Sequence, residues 1–211
     1  MKIVNGLFAV ILISISSAVF ADRVFQTSPV LPGPGSDAVG EQGAAWLRRS
    51  PDRIAGRVMV QVDNADTPYS IWWIVFNNPE ECAGAMAMTG DPCALSDLFN
   101  PDVDAAVFNA SGAISAADGK SPAKGNPPGG GVINVDLELM AGEGSGNGHA
   151  RFPFNPMGFD INGLLAPANG CGAEIHLDIN EHLVFDEGWV TELTQPEGAT
   201  HRFAVFPAVE C

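Results

Sequence analysis

The sequence predicts an all-β protein, namely an antiparallel β-sandwich or jelly-roll-like barrel with long Gly/Pro-rich loops. Three observations support this fold class. Several short runs alternate apolar and polar residues, turn-forming residues separate those runs, and hardly any segment has the periodicity of an amphipathic helix. The chain contains 24 Gly and 16 Pro, residues that favour tight connections. We expect a single sandwich domain at residues 56–211.

Residues 1–21 are typical of a secretory signal peptide. Lys2 precedes an apolar run that is too short to cross a bilayer, and small residues flank Phe20 before the expected cleavage site. We therefore expect a secreted or periplasmic protein without a membrane span. Residues 22–55 are rich in Pro, Gly and Ser, which predicts an extended or partly flexible leader, with one helical turn at residues 44–47.

The domain is expected to begin with two strands of different character. Val58, Val60 and Val62 lie on one side of an alternating run, which is typical of a strand that is half exposed to water. Residues 69–76 are apolar on both sides and rich in aromatic and β-branched side chains, which predicts a central strand covered on both faces. Pro79 ends that strand because proline cannot donate a ladder hydrogen bond.

The remaining strands follow a long loop that contains a possible short helix at residues 96–99. Further strands are predicted at residues 105–115 and 132–140, and around Ile175, Trp189 and Phe203. In residues 132–140 apolar side chains alternate with Asn134, Asp136 and Glu138. These short strands between Gly/Pro loops favour antiparallel pairing.

Four cysteines favour two disulfide bonds, because an even count in an exported protein is typical of disulfides. Of the three possible connectivities, we predict Cys82 with Cys93, which closes a short loop, and Cys171 with Cys211, which ties down the last residue. A zinc site is the weaker interpretation because the chain contains no C-x-x-C pair.

Residues 174–182 carry the strongest candidate site. Same-side residues on a strand stand about 6.5 to 7 Å apart, so His176 and Asp178 are suitably spaced to chelate one divalent cation, Cu, Zn or Ca. Glu174 and His182 are candidate third ligands, and His182 can join the site only if the chain folds back.

The alternative for this segment is a solvated outer face, which antiparallel sheets expose routinely. That face would carry Glu174, His176, Asp178 and Asn180. His149 and His201 are further histidines that other strands would have to bring to the site. A second, calcium-binding interpretation concerns the loops at residues 97–104 and 160–163, where Asp residues suit either cation ligation or local turn hydrogen bonds.

Composition excludes some partners. The formal net charge of −15 opposes binding to the phosphates of nucleic acids. The Gly-rich residues 142–148 have no phosphate-binding spacing, and the chain lacks the G-x-S-x-G and HExxH signatures of hydrolases. Trp46 and Trp189 lie nearer polar sequence than Trp72 and Trp73, which makes them the better candidates for a carbohydrate-stacking platform.

Two motifs carry a resemblance. The stretch WWIVFNNPEEC at residues 72–82 and GAEIHL at residues 172–177 together resemble a group of uncharacterised exported bacterial proteins. The resemblance covers about residues 69–182 and implies export and a shared fold, but no reaction. It marks His176 and His182 as the histidines of the pattern, with Leu183 where the group tends to have Gly.

Three functions are compatible with these observations. The first is an exported, disulfide-stabilised β-sandwich that binds a divalent cation or an extracellular ligand without catalysis. The second is an extracellular enzyme that acts on polysaccharide through loop carboxylates, for which we expect a cleft with two carboxylates about 5 to 10 Å apart. The third is a structural or surface interaction protein with an exposed apolar patch or sheet edge.

Overall fold

The computed structural model describes residues 23–33, 40–62, 65–84, 92–117, 131–142, 164–182 and 201–211, with the backbone alone at residues 117 and 201. These residues form an all-β protein, which confirms the predicted fold class. The strands are β1 (Val24–Pro32), β2 (Gly43–Ser50), β3 (Arg53–Val62), β4 (Pro68–Phe76), β5 (Ala105–Ile114), β6 (Ala116–Ala117), β7 (Gly131–Met140), β8 (Glu174–Glu181) and β9 (His201–Phe206). Two short 3-10 helices span Pro79–Glu81 and Leu95–Phe99.

All strand pairs are antiparallel, and the sheet has the order β5-β4-β8-β9-β1-β2-β3-β7-β6. Strand β1 links two halves, because Val24–Val30 pair with β2 whereas Leu31 and Pro32 pair with β9. At the opposite side, β5 continues through Ser115 into β6, which pairs with β7. The sheet therefore closes almost completely into a flattened barrel, an arrangement that leaves few unpaired edges.

The core lies between the two halves of the sheet. Strand β4 is buried along all nine residues, which confirms the prediction of a central strand covered on both faces. Inward-facing side chains of both halves form one apolar cluster, whose larger members are Leu47, Ile54, Ile71, Trp73, Ile133, Ile175, Leu177 and Phe206. Burial of this apolar area provides the main driving force for folding.

The described part of residues 22–55, predicted to be a leader, contributes β1, β2 and the start of β3 to the sheet. The helical turn predicted at residues 44–47 is wrong, because this segment lies in β2 between β1 and β3. Ala45 and Leu47 point into the core, whereas Trp46 lies half-buried on the outer side. Pairing on both sides and this two-residue periodicity outweigh local helix propensity.

The connection between β4 and β5 packs on the outside of the sheet. Its predicted disulfide, Cys82–Cys93, is present with a Cα–Cα distance of 5.1 Å. Cys93 and Val103 of this connection join a second apolar cluster with the outward-facing side chains of Trp72, Ile74 and Phe76. This connection therefore shields one outer face of the sheet from water.

The second predicted disulfide, Cys171–Cys211, is also present, with a Cα–Cα distance of 5.9 Å. Beside it, the fully buried Arg49 donates hydrogen bonds to the carbonyl groups of Gly170, Ala173 and Pro207. Burial lowers the pKa of Arg49 to about 10, although the charge of Glu174 opposes this shift. The last residues are thus tied to the start of β8. The described segments include no helix with the length and apolarity of a membrane span.

Candidate functional site

The two outer faces of the sheet are candidate sites, and they differ in exposure. We call the outward side of β4, β5, β8 and β9 the covered face, and the outward side of β1, β2, β3 and β7 the open face. The covered face includes the polar side of β8, where Glu174, His176 and Asn180 are buried. The interpretation of this row as a solvated face is therefore wrong, because side chains of the β4–β5 connection pack on the same face.

Glu174 and His176 form the central contact of the covered face. His176 Nε2 lies 2.7 Å from Glu174 Oε1, and the side chains are 3% and 0% exposed. Glu174 Oε1 also accepts a hydrogen bond from the backbone N–H of Cys93 at 3.3 Å. The ring of Phe76 packs edge-on against His176 with a centroid separation of 4.9 Å. Within the described residues, Glu174 Oε2 has no hydrogen-bond partner.

A second polar group lies farther along the covered face. His182 Nε2 lies 2.7 Å from Ser70 Oγ, which also accepts a hydrogen bond from Trp72 Nε1 at 2.8 Å. Burial lowers the pKa of His182, which keeps its imidazole neutral near pH 7. This is the spacing of a nucleophile and its base. Ser70 is 0% exposed, however, so a substrate has no access to Oγ.

The remaining predicted ligand, Asp178, accepts a hydrogen bond from Asn180 Nδ2 at 3.1 Å. Asn180 is fully buried, and its Oδ1 has no hydrogen-bond partner within the described part of the chain. The polar side chains of β8 thus form two separate pairs, Glu174 with His176 and Asp178 with Asn180. A row of this kind stabilises packing when its groups are paired and costs free energy where an atom is left unpaired.

The structure brings together part of the predicted cation site. Glu174 and His176 are in contact, whereas His182 is bonded to Ser70 and Asp178 to Asn180. Among the described residues, no group of three His, Cys, Asp or Glu side chains is arranged to hold a metal ion. His149, Trp189 and the side chain of His201 lie outside the described residues.

The loop predicted to bind calcium uses its buried aspartate for a different purpose. Asp97 accepts hydrogen bonds from the backbone N–H groups of Ala83, Gly84 and Ala94 at 2.8–3.2 Å. These bonds join Ala83 and Gly84 to the start of the 3-10 helix Leu95–Phe99. The sequence predicted a short helix at this place. The other candidate loop, residues 160–163, lies outside the described residues.

The depression beside this loop bears on the enzyme hypothesis. It has a volume of about 540 Å³, and among the described residues that line it Asp97 is the one acidic residue. The carboxylate of Asp97 already accepts hydrogen bonds from backbone N–H groups. The described lining therefore does not provide the two separated carboxylates that glycoside hydrolysis requires.

The open face presents aromatic side chains to water. Phe25 on β1 is 65% exposed, and Trp46 on β2 is half-buried. Phe25 pairs with Arg48 and Thr27 pairs with Trp46, so the two aromatic residues are diagonal neighbours on adjacent strands. Such neighbours stand about 7–8 Å apart, within reach of large side chains. Sequence reasoning identified Trp46 but missed Phe25, which was assigned to the leader.

Ion pairs flank these aromatic residues on the open face. Arg57 Nε lies 2.7 Å from Asp136 Oδ1, and Arg53 Nη2 lies 2.8 Å from Glu138 Oε1. Hydrogen bonding to Asp136 raises the pKa of Arg57, and the same bond lowers the pKa of Asp136. The exposed polar side of β7 agrees with the alternation predicted for residues 132–140.

Comparisons with known proteins give no relative from which a function can be transferred. No family model, curated protein or solved structure matches the chain. The candidate site must therefore be judged on its geometry. The covered face is buried along β4 and most of β8, whereas the open face offers an exposed phenylalanine, a half-buried tryptophan and exposed charged side chains.

Proposed function

We propose that this protein is an exported, non-catalytic binding module that holds an extracellular carbohydrate on its open face. The observation that carries the proposal is the exposure of Phe25, at 65%, diagonal to the half-buried Trp46 on one regular strand surface. An exposed aromatic ring beside a second, partly accessible one is a stronger indication of binding than a single exposed apolar residue.

The chemistry of the open face suits a sugar ring. One side of a pyranose ring carries C–H groups that pack on an aromatic ring, while its hydroxyl groups extend sideways. Thr27 and Arg57 are the cross-strand neighbours of Trp46, and both are exposed. Thr27 supplies a hydroxyl group beside the ring, and Arg57, whose Nε and Nη2 donate to Asp136, retains Nη1 as a donor for a ligand. The face thus combines apolar stacking area with polar groups that orient a ligand.

Two further features support export. The chain has two disulfide bonds, which form and persist in oxidising compartments. Its first residues have the pattern of a signal peptide. The cation hypothesis has weaker support, because Glu174 and His176 provide two ligands whereas a structural zinc site commonly uses four. We therefore place the ligand on the open face.

Affinity gel electrophoresis with soluble polysaccharides tests this proposal. The mature protein should be retarded by at least one polymer in a panel of neutral and acidic glycans. Trp46→Ala should weaken that binding by about thirtyfold, which corresponds to about 2 kcal/mol for removal of an aromatic anchor. Phe25→Ala should weaken it by a smaller factor because its ring is more exposed.

Ile114→Ala is the matched control. Ile114 is 72% exposed on β5, away from the open face, so its truncation should leave retardation unchanged. A panel that produces no retardation, or retardation that Trp46→Ala does not alter, would contradict the proposal. Thermal unfolding of each variant would show that a loss of binding is not a loss of folding.

A further inference from the structure

We infer that the open face selects carboxylate-bearing glycans and that Arg48 makes the charge contact. This inference rests on the proposed carbohydrate function and names the class of ligand. It follows from where the basic residues of an acidic protein are placed. The chain has 10 Lys and Arg residues against 25 Asp and Glu, yet Arg48, Arg53 and Arg57 all lie on the open face.

The three arginines are not equivalent. Arg53 and Arg57 are engaged by Glu138 and Asp136, whose carboxylates lie within 2.8 Å and 2.7 Å of the guanidinium groups. Arg48 has no such carboxylate among the described residues. It is also exposed, so its guanidinium group stays hydrated in the free protein.

Arg48 occupies the position that a ligand on the aromatic pair would reach. It pairs directly with Phe25 on β1, and it follows Trp46 by two residues on the same side of β2. A sugar ring stacked on either aromatic side chain would therefore place its substituents beside the Arg48 guanidinium. A carboxylate is the substituent that matches guanidinium in charge and in its fork of two acceptors.

The net charge of the protein does not provide this contact. A protein with a net charge of −15 repels polyanions in general. An acidic glycan is therefore held at the open face by its local basic group and not by the overall field. A neutral glycan gains the stacking contacts without the charge-assisted hydrogen bonds.

Isothermal titration calorimetry with matched polymers tests the inference. The probes are polygalacturonate, alginate and hyaluronan, each compared with its carboxyl-reduced counterpart, which keeps the sugar backbone and removes the charge. The wild-type protein should bind at least one acidic polymer about tenfold more tightly than its reduced form. Arg48→Gln should remove that preference and leave the affinity for the reduced form within about twofold of wild type.

Arg53→Gln is the control on the same face. Because Arg53 is already paired with Glu138, its loss should change the acidic preference by less than about twofold. Equal binding of acidic and reduced polymers, abolished by Trp46→Ala, would overturn the inference and leave the carbohydrate proposal standing. Binding of neither form would overturn both, as would sedimentation of a dimer that Trp46→Ala dissociates.

Discussion

Strands β7 and β8 have the same alternation of polar and apolar residues but opposite surroundings. On β7 the polar residues Asn134, Asp136 and Glu138 are exposed. On β8 the polar residues Glu174, His176 and Asn180 are buried. Alternation thus shows which side of a strand faces away from the core, but it does not show whether that side meets water. The difference arises from the connection that packs on the covered face.

The largest expected difference in stability between the two faces comes from truncating one phenylalanine on each. Phe76 lies on the covered face and is 0% exposed, whereas Phe25 lies on the open face and is 65% exposed. We expect Phe76→Ala to lower the free energy of unfolding by about 3–5 kcal/mol, because it leaves a cavity in a packed cluster.

Phe25→Ala should change the same quantity by no more than about 0.5 kcal/mol, since its side chain is already in water. Urea denaturation of both variants, followed by tryptophan fluorescence, provides the measurement. A cost of more than about 2 kcal/mol for Phe25→Ala would mean that another part of the chain covers the open face.

Neutralising one glutamate on each strand should produce the next largest difference. Glu174→Gln removes the charge that faces His176 and places an amide N–H₂ group in a buried position. We expect it to destabilise the fold by about 1–3 kcal/mol. Glu138→Gln breaks an ion pair whose side chains are 44% and 55% exposed, so its cost should stay below about 0.5 kcal/mol. Equal costs in chemical denaturation would show that the two faces do not differ.

The contribution of His182 to the pH dependence of stability should be smaller than the effects of these buried substitutions. Burial lowers the pKa of His182 below its ordinary value of 6.5, so the unfolded chain binds this proton more readily than the folded one. The His182 contribution to stability is therefore complete above pH 6.5 and is lost as the pH falls toward the lowered pKa.

Urea denaturation at about pH 7.5 and about pH 5.5 measures this loss. His182→Gln should remove part of the difference between the two conditions, because Gln keeps a hydrogen-bonding group near Ser70 and does not titrate. An unchanged pH dependence in this variant would show that other groups account for the loss of stability. Trp46→Ala on the open face should leave the pH dependence as in wild type.

Much of the fold was predictable from local patterns. The apolar run at residues 69–76 and the alternation at residues 132–140 predicted strands that the structure confirms as β4 and β7. Both disulfides were predicted from chain position, because Cys82 and Cys93 are close in sequence and two partners then remain. The signal for β1 was weaker, since Pro, Gly and Ser in residues 22–55 obscured its alternation.

The candidate site was less predictable. Trp46 was identified as a stacking candidate, but its partner Phe25 lies on another strand, and sequence does not show which strands are neighbours. The burial of the polar row on β8 also depends on a neighbouring strand, β4. Because β4 is apolar on both sides, its outer side had to be covered, and β8 pairs with β4 along the same face. The covered polar row therefore follows from a strand pairing that only the structure shows.

By itself, the sequence determined the all-β class, favoured the observed disulfide pairing among three, and indicated the core-facing side of the alternating strands, because these depend on periodicity and on chain separation. Tertiary structure decided which outer face is open, since this depends on where the connection between β4 and β5 packs. It also placed Phe25, Trp46 and Arg48 beside one another through strand pairing. Such contacts depend on register, and a register is specified only when two strands meet.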